Sequence, residues 1–210
     1  MLVTFYGVRG SIAAPGPKTI KYGGNTSCVH VRLNDGNNVI FDAGTGIREL
    51  GFRMVRNDEP LLLLLSHGHW DHIQGFPFFA SFFDPSAYFE CWAVSRDNQT
   101  FRDVLSEQMS KPKFPVSLDA LAANLRFQEI EEVGSVVFGG CLVSWTEVSH
   151  PSGSSAYRFD CGGASVVVTG DVESRAGSGQ RLVEFARGAD TLIMDAQYFP
   201  EEYESRRGWR

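Results

Sequence analysis

Long apolar runs are missing from this sequence. The longest is five leucines at 61–65, against the roughly 20 apolar residues that a membrane-spanning helix needs, so no span is expected. The first residues, Met1-Leu2-Val3-Thr4-Phe5-Tyr6, lack the basic segment and long apolar stretch of a signal peptide. Cysteine is scarce: Cys28, Cys91, Cys141 and Cys161 are widely spaced, and none falls in a CxxC pair. They read as small buried apolar residues in a reducing compartment, which makes a cytoplasmic location the expectation. Low-complexity tracts, repeats and linkers are absent too. Nor is there an excess of positive charge: the formal net charge is −6, which gives no general pull toward nucleic acid or an anionic membrane.

What is present is ordinary for a globular chain. Its 210 residues, 43% hydrophobic and 21% charged, suffice for one well-buried core and one domain over 1–210. Strands are expected at 2–8, 27–33 and 38–42, the last two joined by the turn Asn34-Asp35-Gly36-Asn37. Residues 45–55 have helical spacing through Ile47, Leu50 and Met54. Residues 61–65 show no polar alternation and read as a fully buried strand. Further strands are expected at 87–94, 125–130, 136–138, 141–148, 156–159, 165–168 and 191–194, with helices at 101–109 and 180–186. Pro112 and Pro115 stop the first of these helices. Strand-rich halves with surface helices point to an α+β arrangement, two packed sheets flanked by helices.

The densest chemistry is Ser66-His67-Gly68-His69-Trp70-Asp71-His72, directly after the leucine run. Three of the chain's five histidines fall within six residues. A strand end is rigid and the loop after it is open, which suits a preformed site. Imidazole and carboxylate are natural ligands for zinc and similar divalent ions. His67 and His69 can therefore reach one metal while Asp71 and His72 project to a second. Taken singly, His150 reads as a core histidine or a ligand, and Asp171 as a turn residue or a ligand. His30 lies in a strand without a partner at metal-like spacing and reads as structural. The aromatic cluster Phe76, Phe78, Phe79, Phe82 and Phe83 reads as core or lid packing rather than a base-stacking platform.

The run His67-x-His69-x-Asp71-His72 resembles the signature of the metallo-β-lactamase superfamily, and the resemblance extends over nearly the whole chain. Phe41-Asp42-Ala43-Gly44-Thr45-Gly46 is similar to that family's early strand-end motif, Ser149-His150-Pro151 to its third histidine, and Thr169-Gly170-Asp171 to its bridging aspartate. The resemblance implies a four-layer αβ/βα sandwich of two mostly antiparallel or mixed sheets flanked by helices, with metals at one sheet edge. It implies two divalent ions, zinc before manganese or iron. His67, His69 and His150 would hold one, Asp71 and His72 the other, with Asp171 between. Val8-Arg9-Gly10-Ser11, Tyr22-Gly23-Gly24-Asn25-Thr26-Ser27-Cys28, Phe114-Pro115-Val116 and Met194-Asp195-Ala196-Gln197-Tyr198 are similar to the phosphodiesterase branch near tRNase Z and the phosphoribosyl cyclic phosphate phosphodiesterases. There Asp195 matches an acidic residue that orients a proton-donating histidine. Arg9 and Arg158 are candidates for phosphate contact, since a guanidinium grips phosphate oxygens in pairs.

The implied function is a two-metal phosphodiesterase acting on a small or cyclic phosphodiester, such as a cyclic nucleotide or phosphoribosyl cyclic phosphate. A hydroxide held between the metals would attack, with Asp71 helping to hold the water. A tRNA-processing nuclease ranks lower because the chain is acidic and shows no basic extension. A lactone or thioester hydrolase on the same metals stays open, as does a catalytically degenerate binding module. The ending departs from the family. Relatives continue past a Gly-Trp pair with Gly-His-Ser and a further histidine-bearing strand, whereas this sequence reaches Gly208-Trp209-Arg210. Truncation, with the last strand and helix lacking, is the favoured explanation, and the sheet edge this would expose predicts a homo-oligomer.

Overall fold

The computed structural model describes residues 1–54, 61–173 and 179–206. The first of its two sheets runs in the order β1 (Leu2–Gly7), β2 (Cys28–Arg32), β3 (Asn38–Phe41), β4 (Leu61–Leu64), β5 (Tyr88–Val94), β6 (Asn124–Ile130). In the second the order is β11 (Thr191–Ile193), β10 (Ala164–Val168), β9 (Ser154–Cys161), β8 (Cys141–Val148), β7 (Gly134–Phe138). Strands β1 to β3 pair antiparallel and β3 to β6 parallel. The second sheet is antiparallel except for the β10–β11 pair. Both sheets are thus of the kind the sequence implied.

The leucine run explains the layering. Successive side chains of a strand point to opposite faces, so Leu61, Leu63 and Leu65 enter one core and Leu62 and Leu64 another. The second core lies between the sheets, where Val31, Phe41, Leu62 and Leu64 meet Val143, Trp145, Tyr157 and Phe159. The first is roofed by α1 (Gly46–Arg53), α3 (Phe101–Gln108) and the buried rings Phe76, Phe79 and Phe82. A capping box at Thr100 and Asp103 fixes the start of α3. On the far side, α4 (Gly179–Ala186) packs Leu182 against Val148 and Ala156. Helix, sheet, sheet, helix is the four-layer sandwich.

Two short helices, α2 (Trp70–Ile73) and α5 (Pro200–Tyr203), are too short to show a periodicity in sequence. Phe78 and Phe83 stay exposed, so the aromatic cluster is core with an exposed fringe. Residue 55 of the expected first helix and Gly208-Trp209-Arg210 lie outside the described residues. Among those described, no helix is long and apolar enough to cross a membrane.

The reading of all four cysteines as unpaired needs correction. Cys28 and Cys91 are free and buried, but Cys141 and Cys161 form a disulfide. The β8–β9 register, with Leu142 opposite Asp160, puts these two cysteines side by side although they stand 20 positions apart in sequence.

Strand direction decides where chemistry can gather. Because β1 and β2, then β2 and β3, are antiparallel, β1 runs with β3, β4 and β5. Likewise β8, β10 and β11 run together. The residues that follow these strands therefore collect at carboxyl ends, where open α/β sheets place their ligand crevices.

Candidate metal centre

Asp42 follows β3, is fully buried and has φ +62°. It accepts from Ser66 N at 2.8 Å, Ser66 Oγ at 3.1 Å and Ser27 Oγ at 2.9 Å, and its Oδ2 lies 2.6 Å from His72 Nδ1. A carboxylate behind Nδ1 fixes the ring and turns Nε2 outward. His67 is held the same way one step removed, with Ser66 Oγ 3.0 Å from its Nδ1. A Ser66 hydroxyl that donates to Asp42 must accept from His67 Nδ1–H, which leaves Nε2 of His67 as a lone pair.

Those nitrogens converge with others. His67, His69 and His150 each offer a ring nitrogen within 4.8 Å of the other two, and the ring nitrogens of His67 and His72 and a carboxylate oxygen of Asp171 lie as close to one another. His150 Nε2 lies 3.0 Å from His69 Nδ1. Asp171 stands between the groups, with Oδ1 3.2 Å from His72 Nε2 and Oδ2 4.0 Å from His67 Nε2. Asp71 Oδ2 is 3.6 Å from His72 Nε2 and accepts from Ser11 N at 2.6 Å. The structure thus brings together all six residues expected as ligands.

The electrostatics suit a cation. Burial pushes the pKa of His67 well below its ordinary value, and the neighbouring His72, His150 and His69 push it further. His67 is therefore neutral, the form that binds metal. Burial alone would lower His72 too, but Asp42 and Asp171 outweigh it and lift the pKa to about 10. Without a metal, a proton sits where these carboxylates concentrate negative charge. Among the described residues the buried His67 Nε2 has no hydrogen-bond partner, a costly arrangement for a polar atom unless a ligand takes its lone pair. Imidazoles and carboxylates in this mixture are the donors of zinc-like divalent ions, so the residues fit the group.

Two clefts flank the cluster. One, of about 280 Å³, opens beside β1 and β11 and is lined by Arg9, His72, Asp171 and Asp195 with Phe5 and Ile193. The other, also about 280 Å³, is lined by His67, His69, Trp70, Arg96, Lys113 and Ser152. Asp195 accepts from the amides of Gln197 at 3.0 Å and Val172 at 3.5 Å. His30, on β2, bonds Asn38 Oδ1 at 2.8 Å and is structural as expected. Arg158 needs correction as a phosphate candidate. Its guanidinium forks onto Asp160 at 2.8–3.1 Å and donates to the carbonyls of Phe185 and Arg187, so it ties β9 to the end of α4. Sequence reasoning missed the supports, Asp42, Ser66 and Ser11. All three stand inside segments singled out in the sequence, but nothing there showed which ligand each one supports.

The sequence matches the Beta-lactamase superfamily domain over residues 37–208. A metal-dependent hydrolase of Enterococcus faecalis is 40% identical over 47 residues, 22% of this chain and 21% of that protein, so the match spans about a fifth of the relative. Among solved structures, human tRNase Z, short form (ELAC1), superposes with a TM-score of 0.71 at 17% identity, over 98% of this chain and 82% of that one. YhfI of Bacillus subtilis, a metallo-beta-lactamase fold protein, gives 0.63 at 21% over 90% and 68%. Yeast PDE1 gives 0.61 at 17% over 96% and 77%. At such identities these structures speak for the fold alone. The family match, which takes in the whole histidine cluster, says more: this chain belongs to the beta-lactamase superfamily.

Proposed function

We propose that the chain is a metal-dependent hydrolase, specifically a two-metal phosphodiesterase acting on a small or cyclic phosphodiester. The observation that carries this reading is the juxtaposition of two ligand sets, His67/His69/His150 and Asp71 with His72, with Asp171 near both. Two divalent ions held there would supply Lewis acidity and an activated water for attack at phosphorus.

The chain's own residues supply the rest. Asp42 and Ser66 hold His72 and His67 in orientation. Asp71 and Asp171 contribute the negative charge that offsets two cations. Arg9 lies in the cleft that also holds His72 and Asp171, where a guanidinium suits a non-bridging phosphate oxygen. Asp195, in the same cleft, is the candidate for holding a proton or orienting a group on the leaving side. A cleft of about 280 Å³ lies near the lower end of the roughly 300–1,000 Å³ typical of small-molecule pockets, which favours a small substrate.

The test sets zinc- or manganese-reconstituted protein against bis(p-nitrophenyl) phosphate, a 2′,3′-cyclic nucleotide, a lactone and a precursor tRNA. Hydrolysis of the phosphodiesters, lost in His67→Ala, is the expected result. Turnover of the lactone or the tRNA with the small phosphodiesters untouched would overturn the assignment.

A further inference from the structure

The loop between β1 and β2 meets the metal centre through a strained residue. Ile12 N donates to Gly10 O at 2.8 Å, closing a three-residue turn around Ser11, whose φ is +66°. A γ-turn with positive φ at its centre is the rarer and more strained of the two γ forms, and positive φ is uncommon in any residue with a side chain. Strain of this kind persists only where its surroundings enforce it, and it clusters at functional sites. Here it gives direction: Ser11 N donates to Asp71 Oδ2 at 2.6 Å. The rest of the loop braces the turn. Val8 N and Arg9 N both donate to Asn25 O, at 3.1 and 2.9 Å, and Ala14 N donates to Gly24 O at 2.9 Å. Thr19 Oγ1 donates to Ala14 O at 2.7 Å. The acceptor, Asp71, is buried on α2, and the same Oδ2 lies 3.6 Å from His72 Nε2.

We infer that Ser11, through its backbone N–H alone, is a positioning residue that keeps the Asp71 carboxylate turned toward His72 and so completes the second metal position. The N–H takes one acceptor site of the carboxylate and fixes which way the group faces. The serine side chain takes no part. This rests on the two-metal reading, which gives Asp71 to the second ion. It adds that the second ion depends on a residue 60 positions away in sequence that offers the metal no atom.

Metal binding tests it without turnover. Metal-free protein is titrated with zinc against a chromophoric chelator, which resolves the two binding steps. In one variant Ser11 is replaced by its α-hydroxy acid, so that an ester oxygen stands where the N–H was and the side chain is unchanged. The second zinc is expected to weaken by about 10–100-fold, the usual cost of losing an outer support, with the first step unmoved. Ser11→Gly keeps the N–H, relieves the positive φ, and is expected to bind both ions like the parent. An ester variant that binds the second zinc as tightly as the parent would overturn the inference. So would one that weakens both steps alike, or a Ser11→Gly protein that loses the second ion. A parent that takes up fewer than two zinc ions would sink the two-metal reading itself, and this inference with it.

Discussion

Asp42 restrains two histidines at once, His72 directly and His67 through Ser66, and its charge sets the proton affinity of the site. The pKa of His72, raised to about 10, stands above the value near 6.5 of an unfolded chain. A raised histidine pKa adds stability that is complete below about 6.5 and lost as pH climbs toward 10, at about 1.4 kcal/mol per pH unit for one proton. His67, shifted down, acts only below about 6.5, where stability falls with falling pH. The buried thiols of Cys28 and Cys91, both shifted up, begin to cost stability only near the free-thiol value of about 8.5. Between about 6.5 and 8.5 the metal-free protein is therefore expected to lose thermal stability as pH rises. Asp42→Asn, less stable from the outset, should show a flatter slope, and equal slopes in the two proteins would contradict the role given to Asp42. None of this was legible in the sequence beyond the ligands themselves. A motif shows that an aspartate ends a strand, not which ring it faces, and Ser11 meets Asp71 across 60 positions of sequence.

The elements were more legible than their contacts. The run of five leucines reads as a strand buried on both faces, and it is the seam between the two cores. Arg158 failed as a phosphate candidate because cross-chain partners are invisible in one dimension, here the carbonyls of Phe185 and Arg187. The disulfide was hidden for the same reason, since it needs the β8–β9 register. At this scale the turn after β10 is the sensitive joint between the sheets. Gly170 has φ +63°, and a Cβ there would come within 2.6 Å of Ser66 Cβ, the residue that links Asp42 to His67. Gly170→Ala is expected to cost more than the roughly 1–3 kcal/mol of backbone strain alone. Gly163→Ala, at φ +83° with open space around the added methyl, should cost the strain and nothing else. Denaturant unfolding of the two variants decides the point, and equal losses would mean that Ser66 yields without consequence.

Across the whole molecule, neither sheet owns the site. The first supplies His67, His69, Asp71 and His72 from the end of β4, and the second supplies His150 and Asp171 from the ends of β8 and β10. The halves are pinned together beside the cluster, where Ser155 N donates to Ser66 O at 2.9 Å and Tyr157 Oη to Leu65 O at 3.0 Å. Packing of the sheets therefore brings together ligands spread over 105 residues of sequence, from 67 to 171, in two groups whose ligand atoms each lie within 4.8 Å of one another. Among the described residues the outer strands β1 and β11 end their sheets and leave Leu2, Phe5, Leu192 and Met194 exposed. The account as a whole stands on the two ligand groups, and metal content per chain, by elemental analysis after zinc reconstitution and gel filtration, reads them directly. It predicts two ions in the parent and one in His72→Ala. One ion or none in the parent would contradict it.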